Sequence, residues 1–263
     1  MRLFRVAPLA LVAASMLSAP AFAQEAEEEE SGPIEVSANV ALTSDYRFRG
    51  VSFSDEDIAI QGGFDISHES GFYIGTWASS LEDSLLYGNA ELDVYAGWSG
   101  DVAPNITLDG GVLYYIYPNG DDSVGDSDYF EPYASVTAAL GPVEATVGAA
   151  YAPEQGSALT SDNIYVYGDL GTGIPDTPIS LAAHLGYSDG SLDYGSGGYL
   201  DWSLGASVSY KILELGVAYI DTDLPSAAGQ DAAVIGHVRD GPRIGHPDPQ
   251  TVANQVPLHF ETG

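Results

Sequence analysis

Ile34-Glu35-Val36-Ser37-Ala38-Asn39-Val40-Ala41-Leu42-Thr43-Ser44-Asp45-Tyr46 alternates apolar and polar residues with a period of two. The same period returns in Ile58-Ala59-Ile60-Gln61-Gly62-Gly63-Phe64-Asp65-Ile66-Ser67. After a His68-Glu69-Ser70-Gly71 turn it resumes in Phe72-Tyr73-Ile74-Gly75-Thr76-Trp77-Ala78. Successive side chains of a strand leave opposite faces, so this pattern builds a sheet with one apolar row and one polar row. Which row meets water decides both fold and function.

The ends of the chain narrow the choice. Residues 1–23 combine Arg2 and Arg5, an apolar Leu9–Leu17 segment and a small-x-small Ala21-Phe22-Ala23 site, the three parts of a cleaved secretory signal peptide. Residues 24–33, with Glu25 and Glu27–Glu30, form an acidic leader. Without the signal, five of the seven basic residues remain against 38 acidic ones. Such a balance repels phosphates and excludes nucleic acid as a partner. The absence of cysteine removes disulfides, thiolate metal sites and thiol nucleophiles. No later stretch reaches the ~18 apolar residues of a spanning helix, so any passage through a membrane requires a closed β-barrel. The 31 glycines and 17 tyrosines suit short strands and tight turns.

Beyond the first three strands (the first reaching about residue 48), alternation predicts others near 88–99, 106–117, 129–140, 143–152, 163–171, 179–188, 199–210, 212–221 and 231–239. That makes about twelve, the even number expected of a bacterial barrel. Short links (69–71, 100–105, 141–142, 172–178 and the point near Lys211) alternate with longer ones. The longer links, mostly acidic and rich in Gly and Ser, are 50–57, 81–87, 118–128, 153–162, 189–198 and 222–230. Short periplasmic turns and long external loops produce this order in a transmembrane barrel whose N-terminus is periplasmic. A two-sheet sandwich has no reason to collect its long loops at one end.

Three segments also carry a family likeness: Ser44-Asp45-Tyr46-Arg47-Phe48-Arg49-Gly50-Val51-Ser52, Ala59–Asp65 and His68–Ser79. They resemble the proteobacterial porin-like family called Gcw_chp or TorF-type, densely over residues 36–80 and more loosely to about Ile235. The resemblance implies an outer-membrane β-barrel of a Gram-negative bacterium, with outer-membrane lipid and the barrel-assembly machinery as partners. The C-terminus departs from the pattern of such barrels, which end on a strand with a final aromatic residue. Here alternation stops after Gly236, and 240–263 reads as an irregular, disordered tail with Pro242, Pro247, Pro249 and Pro257. The barrel domain is therefore expected over 34–239.

Two aromatic girdles around an aliphatic band mark a lipid-facing surface. On the apolar row Tyr46, Phe48, Tyr114 and Trp202 are expected near the external end, and Phe72, Trp98 and Tyr210 near the periplasmic end. The opposite row carries Asp65, Glu91, Asp93, Asp109, Asp169 and Asp201, with Glu131, Glu214 and tyrosines such as Tyr95, Tyr133, Tyr165 and Tyr199. A sandwich core could not hold so many carboxylates, whereas a wet lumen can. Arg47 and Arg49 are the two basic residues on this row. Either they brace strand 1 against Asp45, Asp65 or Glu91, or they give an anionic substrate group a cationic foothold.

Chemistry is sparse. His184 is expected in the lumen, with Ser180 and Ser188 nearby, but no G-x-S-x-G, HExxH, phosphate loop or Ca²⁺ loop appears. No catalytic residue, metal or cofactor is predicted. The expected function is a porin-like channel for passive passage of small solutes, preferring cations. The alternatives are a non-conducting structural or adhesive barrel and an outer-membrane hydrolase.

Overall fold

The computed structural model describes residues 32–121, 123–156, 159–225 and 232–240. The expected signal peptide, the leader up to residue 31 and the tail beyond Asp240 lie outside the described residues. After β1 (Ile34–Thr43) come two short strands, β2 (Arg47–Phe48) and β3 (Val51–Ser52), which form a small sheet of their own. The wall continues through β4 (Ala59–His68), β5 (Phe72–Ser84), β6 (Gly88–Ala103), β7 (Ile106–Ile116) and β8 (Tyr129–Leu140). It is completed by β9 (Val143–Ala152), β10 (Asn163–Gly173), β11 (Ile179–Gly190), β12 (Tyr199–Tyr210), β13 (Leu213–Thr222) and β14 (Ala233–Asp240). Twelve of these strands pair antiparallel in chain order, and β14 returns to β1, so the barrel is closed.

Closure follows from the chemistry of the two rows. Val147 is 70 % exposed and Leu204 64 %, while the inward Asp93 and Asp201 are both 0 % exposed. Away from the strand ends the outward row carries no charged residue among the described strands. This distribution inverts that of a soluble domain, and only lipid makes it favourable. Every wall amide and carbonyl must then be paired within the sheet, which an open edge cannot do. Val147→Arg or Leu204→Arg should each destabilise the barrel by about 2–4 kcal/mol if the residue lies at mid-membrane. Urea titration in phospholipid vesicles measures the cost; unchanged stability would put a protein partner, not lipid, against this face.

The seam is uneven. β14 pairs with β13 over Leu213↔Asp240 to Ile220↔Ala233 but meets β1 only over Val40↔Asp240 to Thr43↔His237. Ser44 extends the contact: its amide donates to the Gly236 carbonyl at 2.9 Å, and its hydroxyl accepts from the Gly236 amide at 3.0 Å. The expected closing strand is thus present, shifted slightly toward the tail.

Two boundaries differ from the sequence expectation. Residues 81–87 do not form a long loop: β5 runs to Ser84, bulges between Ser80 and Ser84, and leaves a link of only 85–87 before β6. The first strand stops at Thr43 rather than continuing to residue 48. There Thr43 Oγ1 donates to the Asp45 carbonyl at 2.8 Å, and the chain turns inward. Tyr46 and Phe48, expected in the lipid girdle, are each only 2 % exposed and lie inside the barrel. Their alternation is genuine, but it belongs to the separate β2–β3 hairpin. The other aromatic residues expected in the girdle, Phe72, Trp98, Tyr114, Trp202 and Tyr210, lie on the outward row.

Inside, tyrosine and glycine are partners. Tyr95 pairs across strands with Gly75, Tyr73 with Gly97, Tyr133 with Gly111 and Tyr167 with Gly148. Each ring lies over the space a Cβ of its glycine would fill. The rings therefore lie flat on the wall, which relates the abundance of these two residues.

Candidate functional site

Within the segment 44–57, residues 45–51 fold from the long-loop end into the lumen and are buried there, while Ser44 and residues 55–57 stay exposed. Phe48 and Val51 face each other across a two-residue turn, with Arg49 at φ 48° and Gly50 at φ 83°. Both central residues of a type I′ turn need positive φ, a conformation natural to glycine and costly for arginine. Gly50 also sits against the far wall, where a Cβ would strike Thr222 and lie 3.0 Å from Asp201. Asp45 organises the base of the hairpin. Its carboxylate accepts from Arg47 Nε at 2.6 Å, Ser52 Oγ at 2.6 Å and Ser54 Oγ at 3.1 Å. Arg47 Nη1 also donates to the Gly50 carbonyl at 2.9 Å.

The hairpin touches walls on several sides. Tyr46 donates to Glu91 on β6 at 2.8 Å, and Tyr199 on β12 donates to the Arg49 carbonyl at 3.0 Å. Arg49 is 0 % exposed; its Nη2 donates to both carboxylate oxygens of Glu131 on β8 at 2.7 Å. Tyr115 donates to the same carboxylate at 3.2 Å. The guanidinium carbon lies 4.2 Å from the Tyr165 ring centre and 4.7 Å from that of Phe48, a cation–π arrangement on both. Burial works against the Arg49 charge, but Glu131 outweighs it and holds the guanidinium above its ordinary pKa. Burial, then the charge of Glu91, raises the Tyr46 phenol and pushes the Tyr87 phenol up to about 12.

The expected lumen residues Arg47, Arg49, Asp65, Glu91, Asp93, Asp109, Asp169 and Asp201 are all buried within the barrel. Arg47 pairs with Asp45, one of the three expected partners, but Arg49 pairs with Glu131, which was not among them, and both arginines sit on the hairpin rather than on strand 1. The carboxylates meet phenols: Tyr95 donates to Asp65, and Tyr73 donates to Asp109 at 3.1 Å while its hydroxyl lies 2.5 Å from that of Tyr133. Sequence parity gave no hint that Glu131 would be the anchor, because the pair is 82 positions apart in sequence.

His184 occupies the centre of a second cluster. Nδ1 lies 2.6 Å from Asp169 and Nε2 3.1 Å from Asp201, with the Tyr165 hydroxyl 2.8 Å from Nε2. An imidazolium donating from both nitrogens satisfies this arrangement. Ser188 instead accepts from Asn163 at 3.3 Å. The His184 cluster thus offers carboxylates and a phenol where a Ser–His–acid set requires an aligned hydroxyl nucleophile. Among the described residues no group of three or more His, Cys, Asp or Glu is placed to hold a metal ion.

No curated protein matches the chain. Among solved structures, the NanC porin shares 12 % identity over 79 % of this chain and 98 % of its own, with a TM-score of 0.51. The KdgM porin, solved in complex with disordered oligogalacturonate, shares 11 % identity over 78 % of this chain and 96 % of its own, also at 0.51. The outer membrane protein opdK from Pseudomonas aeruginosa shares 13 % identity over 81 % and 67 %, with a TM-score of 0.44. The likeness to the two porins is one of fold, a closed transmembrane barrel. The model of a family described as "Bacterial protein of unknown function (Gcw_chp)" matches residues 27–238, and the chain belongs to that family.

Proposed function

We propose that the protein is a porin-like channel of the Gram-negative outer membrane, passing small solutes and preferring cations. The carrying observation is the inward charge. Among the described residues Asp45, Asp65, Glu91, Asp93, Asp109, Glu131, Asp169, Asp201 and Glu214 are buried inside, against the arginines Arg47, Arg49 and Arg239 and one histidine, His184. Such an excess of carboxylate between low-dielectric walls concentrates cations and repels anions. The oligogalacturonate named with the KdgM porin is a polyanion, a poor match to this lumen. Outer-membrane lipid covers the apolar face, and the barrel-assembly machinery inserts the protein.

Reversal potentials across planar bilayers in a KCl gradient test the proposal. Wild type should select K⁺. Asp93→Asn with Asp169→Asn should lower the K⁺/Cl⁻ permeability ratio roughly twofold or more, because each replaces an inward carboxylate with a neutral amide. Selectivity for Cl⁻ in the wild type would refute the electrostatic basis. The hairpin buried in the lumen favours a second reading, a barrel that stays closed and serves a structural role. A folded protein that never conducts, even without its hairpin, would establish it.

A further inference from the structure

The lumen already contains one ligand-like group, the guanidinium of Arg49. The wall supplies it with the Glu131 carboxylate, which also accepts from Tyr115, and with the face of Tyr165. A carboxylate facing an aromatic ring is a general recognition set for guanidinium and alkylammonium ions. The resident group fits this set imperfectly. Nε and Nη1 of Arg49 are buried without a hydrogen-bond partner, and the residue is held at a positive φ of 48°. Both features raise the energy of the docked hairpin. A free cation would meet the same wall without the backbone constraint that fixes the orientation of Arg49.

We propose that the Glu131–Tyr115–Tyr165 pocket is a binding site for guanidinium- and alkylammonium-bearing solutes, with Arg49 as a built-in occupant that such a solute displaces. The site thereby names a solute class for the proposed channel, on whose reading its transport role rests, and couples the arrival of that solute to withdrawal of the hairpin. Displacement requires that the solute's preference for the undocked state exceed the free energy holding the hairpin docked, to which the Tyr46–Glu91 and Tyr199–Arg49 hydrogen bonds also contribute.

Agmatine, a guanidinium joined to an alkylammonium, is a suitable probe for the full chain refolded in detergent micelles. In calorimetric titration Arg49→Ala should bind agmatine, and the double variant R49A/E131Q about tenfold or more weaker, the worth of a charge-assisted hydrogen bond. In the otherwise wild-type protein, displacement can be read through one thiol, because the chain has no cysteine. Val51→Cys places that thiol on the hairpin at a position 5 % exposed. Agmatine should accelerate its labelling by a water-soluble maleimide, whereas sodium at equal ionic strength should not. Equal affinity in R49A and R49A/E131Q would overturn the proposal. So would agmatine binding to R49A with no effect on V51C labelling, since the pocket would then be only the space left by a deleted side chain. If R49A fails to fold, the labelling comparison between V51C and V51C/E131Q decides alone. Neither readout needs current, so a barrel that binds agmatine but never conducts would refute the channel and keep the site.

Discussion

Replacing Asp45–Asp57 with Asn-Gly should raise single-channel conductance in KCl by about tenfold or more, because it empties the lumen of a twelve-stranded wall. The wall should tolerate the change. Thr43 and Ala59 are direct cross-strand partners, so the ends of the excised segment already stand at hairpin distance, and Asn-Gly suits the tight turn. Ser44, which clamps Gly236 at the seam, is retained. Glu131 and Glu91 lose their hairpin partners, but water entering the pore solvates them, so they are not left as bare buried charges. Planar-bilayer recording on protein shown to be folded gives the result. Unchanged current would mean that the flat tyrosines and the His184 cluster occlude the pore by themselves.

A chain ending at Pro225 should yield no folded barrel at all. It lacks β14, which supplies partners to β13 along Leu213–Ile220 and to β1 along Val40–Thr43. Each unpaired amide or carbonyl left facing lipid costs several kcal/mol, and an edge of this length exceeds what the marginal stability of a domain can offset. Heat-modifiable migration on gels after refolding into vesicles reads the outcome. A folded band would mean that β13 can pair directly with β1 in a smaller barrel.

The wall was largely legible from the sequence because lipid and lumen impose opposite demands on adjacent residues. Val147 beside Thr146 and Leu204 beside Ser203 show that demand at single-residue spacing. The hairpin was not legible. Tyr46, Arg47, Phe48 and Arg49 continue the period of β1, and periodicity cannot say which sheet a strand joins. The usable signal was local: Gly50, with Phe48 and Val51 beside the Arg49-Gly50 pair, marks a two-residue turn inside what looks like one strand and its loop. The site was half legible. Parity placed the carboxylates inward, but nothing local joins Arg49 to Glu131, because that pairing depends on how far the hairpin reaches across the barrel. The extended β5–β6 hairpin was missed because alternation lapses at the Ser80–Ser84 bulge, where backbone pairing skips residues and resumes.

The tyrosine rings laid over glycines have a consequence for how this sequence can change over generations. Gly148 is empty because Tyr167 on the next strand occupies its side-chain volume, and at Gly75 the Tyr95 ring and the Asp65 carboxylate do the same. Neither member can vary alone without cost. Alanine at Gly148 would lift the Tyr167 ring into the pore, and a small residue at Tyr167 would leave a bare patch of backbone on the inner wall. Inheritance should therefore act on the pair. Among relatives, loss of either tyrosine is expected to coincide with a larger residue at its glycine, giving a correlated two-site signature for each flat ring.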